Sequence, residues 1–444
     1  VNLSIFPAVP VKNTGVRITI SRHNQKEEIK DLVEAMKFHF PKALEDTHTN
    51  SERVFQAFKL EPKQKKAFLK PKVTADLKVQ LEDSILKIDK KLWNSLLGKY
   101  GVFDWEGLKF LEESFSGNSH MEHNWEFRYL IIYDQEQKPI LATFMTVGLW
   151  KDDMLAAVGA SKTIEEERKN NPYYLTSKVL SLGSLFTEGE HLFLENPHPQ
   201  KQEALNLLMQ YLEKLEHSLK AKMIVLRDFR ENKMLHDYFL GQGFVRVQMP
   251  ESCTLALDED ETLETYISQL SSRNRKHLRK EVFKVMDLLD IRIVQEATVE
   301  QLEQISELYS NVHQNNLGLN TFSFPAKLFG KMWVHPNWEF ITIAPKDEPN
   351  KMIGVMLCYR NIYNTYVPAF VGMDYNYLEQ FHIYRQLLFQ TIKRAIELKC
   401  RHISLGLTAE FEKRKLGATV YNKYAYIQTA DNYKLELMGI LESS

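Results

Sequence analysis

Cysteine is scarce in this chain and widely spaced. Cys253, Cys358 and Cys400 have no metal-ligand spacing, and three thiols so placed exclude a disulfide scaffold. They suit a reducing compartment, so a cytoplasmic location is expected. Long apolar runs are also missing, and none approaches the ~20 residues of a membrane span. Neither sign of charge is in excess. Lys and Arg number 57 against 58 Asp and Glu, a formal net charge of −1. No overall basic field argues for nucleic acid, and DNA is not an expected partner. P-loop spacing, a Ser-His-Asp order and a signal peptide are not seen, and no metal is expected. What is present is ordinary for a globular protein: 44% hydrophobic and 26% charged residues over 444 positions, enough for more than one domain.

The most informative stretch runs from Thr365 to Ile427. Tyr366 to Met373 is a near-continuous apolar run of strand length. Phe381 to Leu398 has helical spacing, with Ile383, Leu387, Leu388, Ile392, Ala395 and Ile396 on one face. Lys399 and Arg401 follow, where cations suit the helix dipole. His402 to Leu407 is a second short strand. Strand, helix, strand is a βαβ crossover, which predicts parallel strands. The helix start offers open backbone N–H groups to an anion such as pyrophosphate.

Asp374 at the strand end, Tyr384 in the first helical turn and "LGLTAEFEKRKLGA" together resemble the second half of the GNAT acyltransferase superfamily. The similarity is to the branch related to Fem-type peptidyltransferases, through Gly406, Lys413, Leu416 and Gly417. The resemblance implies that the loop and helix start hold the pantetheine and pyrophosphate of an acyl-CoA, here Gln380, Phe381, Ile383, Tyr384 and Arg385. The glycine-rich form of that loop is absent from Leu378 to His382. Lys413 is a further phosphate candidate.

The first residues carry a second resemblance. Val16, Ile18 and Ile20 alternate with polar residues as in a strand, and Asn24 precedes a helix with Glu27 and Glu28 in its first turn. "FPAVPVKNTGVRITISRHNQKEEIKDLVEAM" is similar to the C-terminus of α-oxoamine synthases, pyridoxal-phosphate enzymes that condense an amino acid with an acyl-CoA. That resemblance implies that Arg17 pairs with a substrate carboxylate, as a guanidinium does well. It implies that pyridoxal phosphate belongs to a longer fusion rather than to these residues. It also implies a homodimer formed through that domain. The expected organisation is a synthase remnant at 1–44, a lysine-rich linker at 45–72, a first GNAT-like domain at 73–265 and a second at 266–444.

The two GNAT-like parts read as a duplication. Each has a hairpin opening on Trp-Glu-Phe (Trp125 and Trp338), a crossover helix (Glu203 to Lys220 in the first), a strand, a glycine and a last strand. The fold class is α/β in the α+β sense: two tandem GNAT-like domains, each a mixed, mostly antiparallel sheet with a βαβ crossover. The first half shows no equally good constellation, and its loop Glu188 to Gln202 is long and rich in Pro and His. It is expected to support the second. Between the halves, Ser271 or Ser272 caps a helix. Leu278, Val282, Val285, Met286 and Leu289 make its apolar face. Arg273, Arg275, Lys276, Arg279, Lys280 and Lys284 load the remainder. A charged face of this kind is ordinarily a solvated one. It also resembles the signature of this GNAT branch, and Arg275 and Arg279 are the candidates for steering a phosphate-rich donor.

Acyl transfer to an amine requires a deprotonated amine, a polarised thioester carbonyl and a protonated leaving thiolate. Asp374, Glu339 and His382 are the candidate bases. Each has a plain structural alternative: a cap for Asp374, a packed histidine for His382. Tyr421, with Tyr424 and Tyr426 beside it, is the candidate acid, against a role in packing. His313 and Asn316, at the end of a helix expected over Val299 to Val312, are acceptor candidates. The leading expectation is an acyl-CoA-dependent N-acyltransferase for a small-molecule or lipid amine. Two alternatives stand beside it: a Fem-like transferase using aminoacyl-tRNA, and a catalytically silent binding module.

Overall fold

In the computed structural model, residues 2–4, 15–18, 24–46, 77–295 and 298–429 are described. Strands β1 (Asn2–Ser4) and β2 (Gly15–Arg17) form a small antiparallel pair. The helix Lys26–Asp46 follows, with Glu27 and Glu28 in its first turn and none of its residues buried. The expected linker begins inside this helix for two residues, and the rest of it lies outside the described residues, as does the helical piece around 54–58.

The first half contains β3 (Lys78–Glu82), β4 (Glu126–Tyr133), β5 (Pro139–Lys151), β6 (Thr176–Leu182), β7 (Leu192–Leu194), β8 (Met223–Phe229) and β9 (Val245–Ala256). The second contains β10 (Leu289–Val294), β11 (Trp338–Pro345), β12 (Gly354–Arg360), β13 (Thr365–Met373), β14 (His402–Leu407) and β15 (Thr419–Thr429). The hairpins form where the apolar alternation and the Asp134 to Lys138 and Lys346 to Lys351 turns place them. The crossover helices are Lys201–Leu219 and Ile383–Glu397. Both halves thus repeat one plan, a tandem GNAT-like fold.

The sheets of the halves are not separate. They merge into one 13-stranded sheet, ordered β10-β11-β12-β13-β14-β9-β15-β8-β6-β5-β4-β3, with β7 on β5. The last strand of each half crosses over. First-half β9 pairs with β14 and β15, and second-half β15 lies between β9 and β8. On one face, a single apolar core runs through both halves, with Trp93, Phe103, Phe110 and Phe186 joined to Trp338, Phe340, Tyr359 and Val367. On the other face, each crossover helix covers a separate core, and the exchanged strands contribute to both: Cys253 and Leu255 of β9 lie under the second helix and Tyr426 of β15 under the first. Asp104 ties the halves on the shared face. Its Oδ1 accepts from Gly107 N at 2.9 Å, capping the helix Trp105–Ser114, and from Tyr359 Oη at 2.7 Å. Its Oδ2 accepts from Ile362 N at 2.9 Å.

Candidate active site

The site opens where two parallel strands part. β13 and β14 pair only at Thr365↔His402 and Tyr366↔Ile403. Beyond that, β13 stays with β12 as far as Met373, while β14 stays with β9. In the first half, the matching strands β6 and β8 pair at four positions, to Leu182↔Leu226, and remain closed along that length. The divergence in the second half leaves a cleft of about 250 Å³. Its floor is Val367 to Val371 and Ser404 to Leu407, and its walls come from both halves.

Pro368 shapes the floor. A proline has no N–H for the ladder, so strands accommodate it at edges and bulges. The β12–β13 register runs Leu357↔Phe370 and then Cys358↔Pro368, which skips Ala369. A bulge leaves its extra residue outside the ladder. Ala369 is that residue, and it lines the cleft.

The start of the helix Ile383–Glu397 adjoins the cleft through Tyr384 and Leu388. His382, at φ 50°, separates it from a short helix Leu378–Phe381, and no side chain caps it. Among the candidate donor contacts, Tyr384 lines the cleft and burial pushes its hydroxyl pKa upward. Ile383 instead lies in the second-half core, against Gly354. Phe381 is buried and stacks on Tyr377, and Gln380 is exposed. Arg385 is held by Glu412, at 2.6 and 3.0 Å, and by Glu281 at 2.8 Å. Two carboxylates already satisfy its charge. His382 Nδ1 lies 3.5 Å from Arg385 Nη1.

Lys413 is buried rather than displayed on the surface. Its Nζ donates to Gly406 O at 3.1 Å and to Leu407 O at 2.8 Å, and it lines the cleft. Burial lowers its pKa to about 8, against the pull of Cys253, Glu188 and Glu410. Gly406, at φ 78°, takes the left-handed conformation that suits glycine; Thr408 at 61° and Ala409 at 50° follow it there without that freedom.

Other candidates lie away from the cleft. Asp374 Oδ1 accepts from Asn376 N at 3.0 Å and Asn376 Nδ2 at 2.9 Å, so it caps the turn after β13. Glu339 is buried on the helix side. It accepts from Tyr366 Oη at 2.6 Å and from both Arg394 Nε and Nη2, at 3.0 and 2.9 Å. Tyr421 lies under the Arg230 guanidinium, 4.2 Å from its ring centre. Arg275 turns back on its own helix start, donating to Ser268 O at 2.9 Å and to Leu270 O. Ser271 is the cap of that helix. Arg279 is exposed, at a π-helical turn over Arg279–Phe283. Arg17 ends β2 opposite Asn2; its side chain is outside the described part.

His313 and Asn316 do line the cleft. His313 Nε2 donates to Thr321 O at 3.0 Å, and burial lowers the ring's pKa. The loop beyond them is anchored on the first half. Asn320 Nδ2 donates to Asp153 Oδ2 and to Glu165 Oε1, both at 2.8 Å. Lys151 Nζ and Arg168 Nη1 bond the same Glu165 oxygen at 2.8 and 2.5 Å. Burial pushes Glu165 up, but bonds from Lys151, Asn320 and Arg168 outweigh it and hold its pKa at about 2.

Sequence reasoning passed over Glu188 and Arg227, two first-half side chains in the second half's cleft. Glu188 starts the Pro- and His-rich loop, an irregular stretch with no periodicity to mark it. Only the strand exchange brings it to Ser252, whose Oγ donates to Glu188 Oε1 at 2.8 Å.

Residues 272–414 match the family model described as the acetyltransferase (GNAT) domain. No curated protein matches the chain. Among solved structures, FemX aligns with a TM-score of 0.52 at 11% identity, covering 81% of this chain and 99% of that one. A tandem GNAT protein from the clavulanic acid biosynthesis pathway aligns with a TM-score of 0.50 at 8% identity, covering 80% and 99%. At such identities the structural likeness speaks for the fold. Together with the matched domain, it supports a GNAT-type acyltransferase.

Proposed function

We propose that the protein transfers an acyl group from acyl-CoA to an amine in the cleft between β13 and β14. The observation that carries this reading is the parting of those strands after two pairs, while the first-half pair stays closed through four. The uncapped start of the helix Ile383–Glu397 offers its first amides to a pyrophosphate. The bulged backbone at Ala369 suits the thioester oxygen, where amides placed in advance stabilise developing negative charge. Lys413 adds a positive charge beside it. Tyr384, kept protonated by burial, is placed to give its proton to the departing sulfur. His313 and Asn316 would then face the acceptor, and the first half would serve as the second wall. Asp374 and Glu339 carry capping and ion-pair roles in this reading. The helix Lys26–Asp46, none of whose residues is buried among the described residues, belongs in this reading with residues 1–44 to a pyridoxal-phosphate domain, in which Arg17 would meet a carboxylate. The amine would then be related to that domain's product.

Donor identity has one competing reading. Arg273, Lys276, Arg279, Lys280 and Lys284 are exposed along one helix. Its Glu281 meets Arg385 at 2.8 Å, close to the start of the helix Ile383–Glu397. A basic ridge at that position also suits an aminoacyl-tRNA donor. Titration calorimetry with acetyl-CoA and a long-chain acyl-CoA, at several salt concentrations, separates the two. Saturable binding that depends on acyl length supports the CoA reading. Binding of neither, by folded protein, refutes it and turns attention to charged tRNA.

A further inference from the structure

Glu188 lies beyond the end of β6 in the first half, yet faces the second half's cleft. Its side chain is 7% exposed. Oε1 accepts from Ser252 Oγ at 2.8 Å. Oε2 is buried and, among the described residues, has no hydrogen-bond partner. A buried carboxylate oxygen without a donor is costly, and native proteins rarely leave one unless something else supplies the hydrogen bond. The charged groups acting on Glu188 are Lys423, Asp228 and Lys413. Arg227 lines the same cleft but is bound elsewhere: Nη1 donates to Ser184 O at 2.5 Å, and Nε lies 3.0 Å from Asp228 Oδ2. Lys423 Nζ donates to Asp228 O at 3.0 Å, and Lys413 Nζ is engaged by Gly406 and Leu407. One acceptor position therefore remains open at the polar end of a cleft whose other walls include Phe186, Phe324 and Phe370.

We propose that Glu188, contributed by the first half, is the proton acceptor of the second half's active site, its Oε2 receiving the ammonium of the amine substrate. The inference rests on the acyl-transfer reading above and adds the base that reading leaves unassigned. The ammonium gives one N–H proton to Oε2 and keeps that bonding pair as its lone pair. Nitrogen attacks the thioester carbon; the C–N bond forms, and the carbonyl π pair moves to oxygen. As that pair returns, the C–S bond breaks and its electrons leave on sulfur. Tyr384 gives its hydroxyl proton to sulfur and takes the second N–H proton in its place, and the first passes from Glu188 to solvent. Burial raises the carboxyl's proton affinity, working in the direction a base at neutral pH requires. The open oxygen would select a primary amine, charged in solution, attached to an apolar body that suits the aromatic wall.

The test compares wild type with E188Q, which keeps the side chain's shape and an oxygen for Ser252. Binding of acetyl-CoA and palmitoyl-CoA is measured by calorimetry. Thiol release is measured with n-octylamine, ethanolamine and glycine across pH. E188Q should bind donors within about 2-fold of wild type while kcat falls by roughly 100-fold or more, and the acid limb of kcat/KM should vanish. An E188Q rate within about 3-fold of wild type overturns the assignment. If E188Q does not fold, S252A decides. Removing a donor to the carboxylate should move the acid limb to higher pH, and an unmoved limb overturns the assignment. A wild type that binds donor but acylates none of these amines overturns the Glu188 role alone. One that binds no acyl-CoA overturns the transfer reading and Glu188 with it.

Discussion

Lys413→Met probes the most unusual charge in the cleft. The ammonium is 3% exposed and its pKa falls from 10.5 to about 8 on burial. A shift of that size means that folding costs the charged form about 3 kcal/mol. The bonds to Gly406 O and Leu407 O offset this, since a hydrogen bond from a charged donor contributes roughly 1.5–3 kcal/mol. Methionine removes both terms, so net stability near neutral pH should change little. The pH dependence should change clearly. Between the folded and unfolded pKa values, the unfolded chain binds more protons at this site, so wild-type stability rises with pH through that window. From about pH 7.5 to about pH 9.5, the integrated gain from this residue is about 2 kcal/mol. Below about pH 7 the lysine is charged in both states and its contribution is flat. Urea unfolding of both proteins at those two pH values gives the comparison, and tyrosine titration cancels in the difference. Wild type should gain about 2 kcal/mol on the variant between them. Parallel curves, within about 0.5 kcal/mol, would show that Lys413 is not held below its ordinary pKa and would remove the argument that it is a strained cation poised at the cleft. Thiol release by the variant should fall together with any carbonyl-polarising role.

Asp374→Ala should lower stability by about 1 kcal/mol, the usual value of a lost cap, and leave the acylation rate within about 3-fold; a loss of ~100-fold in rate would restore Asp374 as a base. Arg394→Met strands the Glu339 carboxylate in the core, so urea unfolding should show a loss of about 3–5 kcal/mol, and a loss under about 1 kcal/mol would mean the pair is effectively solvated. Gly372→Ala places a methyl 2.8 Å from the Leu308 backbone. The helix carrying Tyr309 and His313 must then shift, at about 1–3 kcal/mol, and KM for the amine should rise more than donor affinity falls; equal effects on both would place the acceptor elsewhere.

Local patterns were legible in the sequence, and contacts across the halves were not. The apolar run Tyr366 to Met373 and the helix from Phe381 match β13 and the crossover helix, because alternation and 3.6-residue spacing are properties of single elements. The helix begins two residues late, since His382 breaks it in the left-handed region, which no periodicity reveals. Lys413 was visible as a basic residue near a glycine, but only tertiary packing turns it inward to two carbonyls. Glu339 and Arg385 read as free functional groups because their partners, Arg394 and Glu412, are 55 and 27 residues away in the chain. His313 and Asn316 were placed by the order of elements, and that order does bring them to the cleft wall. The lysine-rich stretch expected as a linker mostly falls outside the described residues.

The strand exchange explains why the cleft draws on both halves. Had each half closed its own sheet, β9 would have ended beside β8 and β15 beside β14. Instead β15 occupies the place next to β8, and β9 takes the place next to β14. Ser252 travels with β9 into the second half and carries a donor to Glu188. Lys423 travels with β15 into the first half and bonds Asp228 O at the end of β8. Asp228, at φ 64°, sits where the β8–β15 register shifts, a kink that the exchanged pairing must absorb. The two crossings therefore set Lys423 against the Asp228 carbonyl and place the Glu188 carboxylate within the influence of Lys423 and Lys413. The first half has a cavity of its own, about 280 Å³ at the end of β8, lined by residues such as His191, Lys201 and Arg230, but its parallel strands stay zipped and Glu188 is turned toward its neighbour's cleft. On this geometry the cleft of the second half is composite, with walls from both halves.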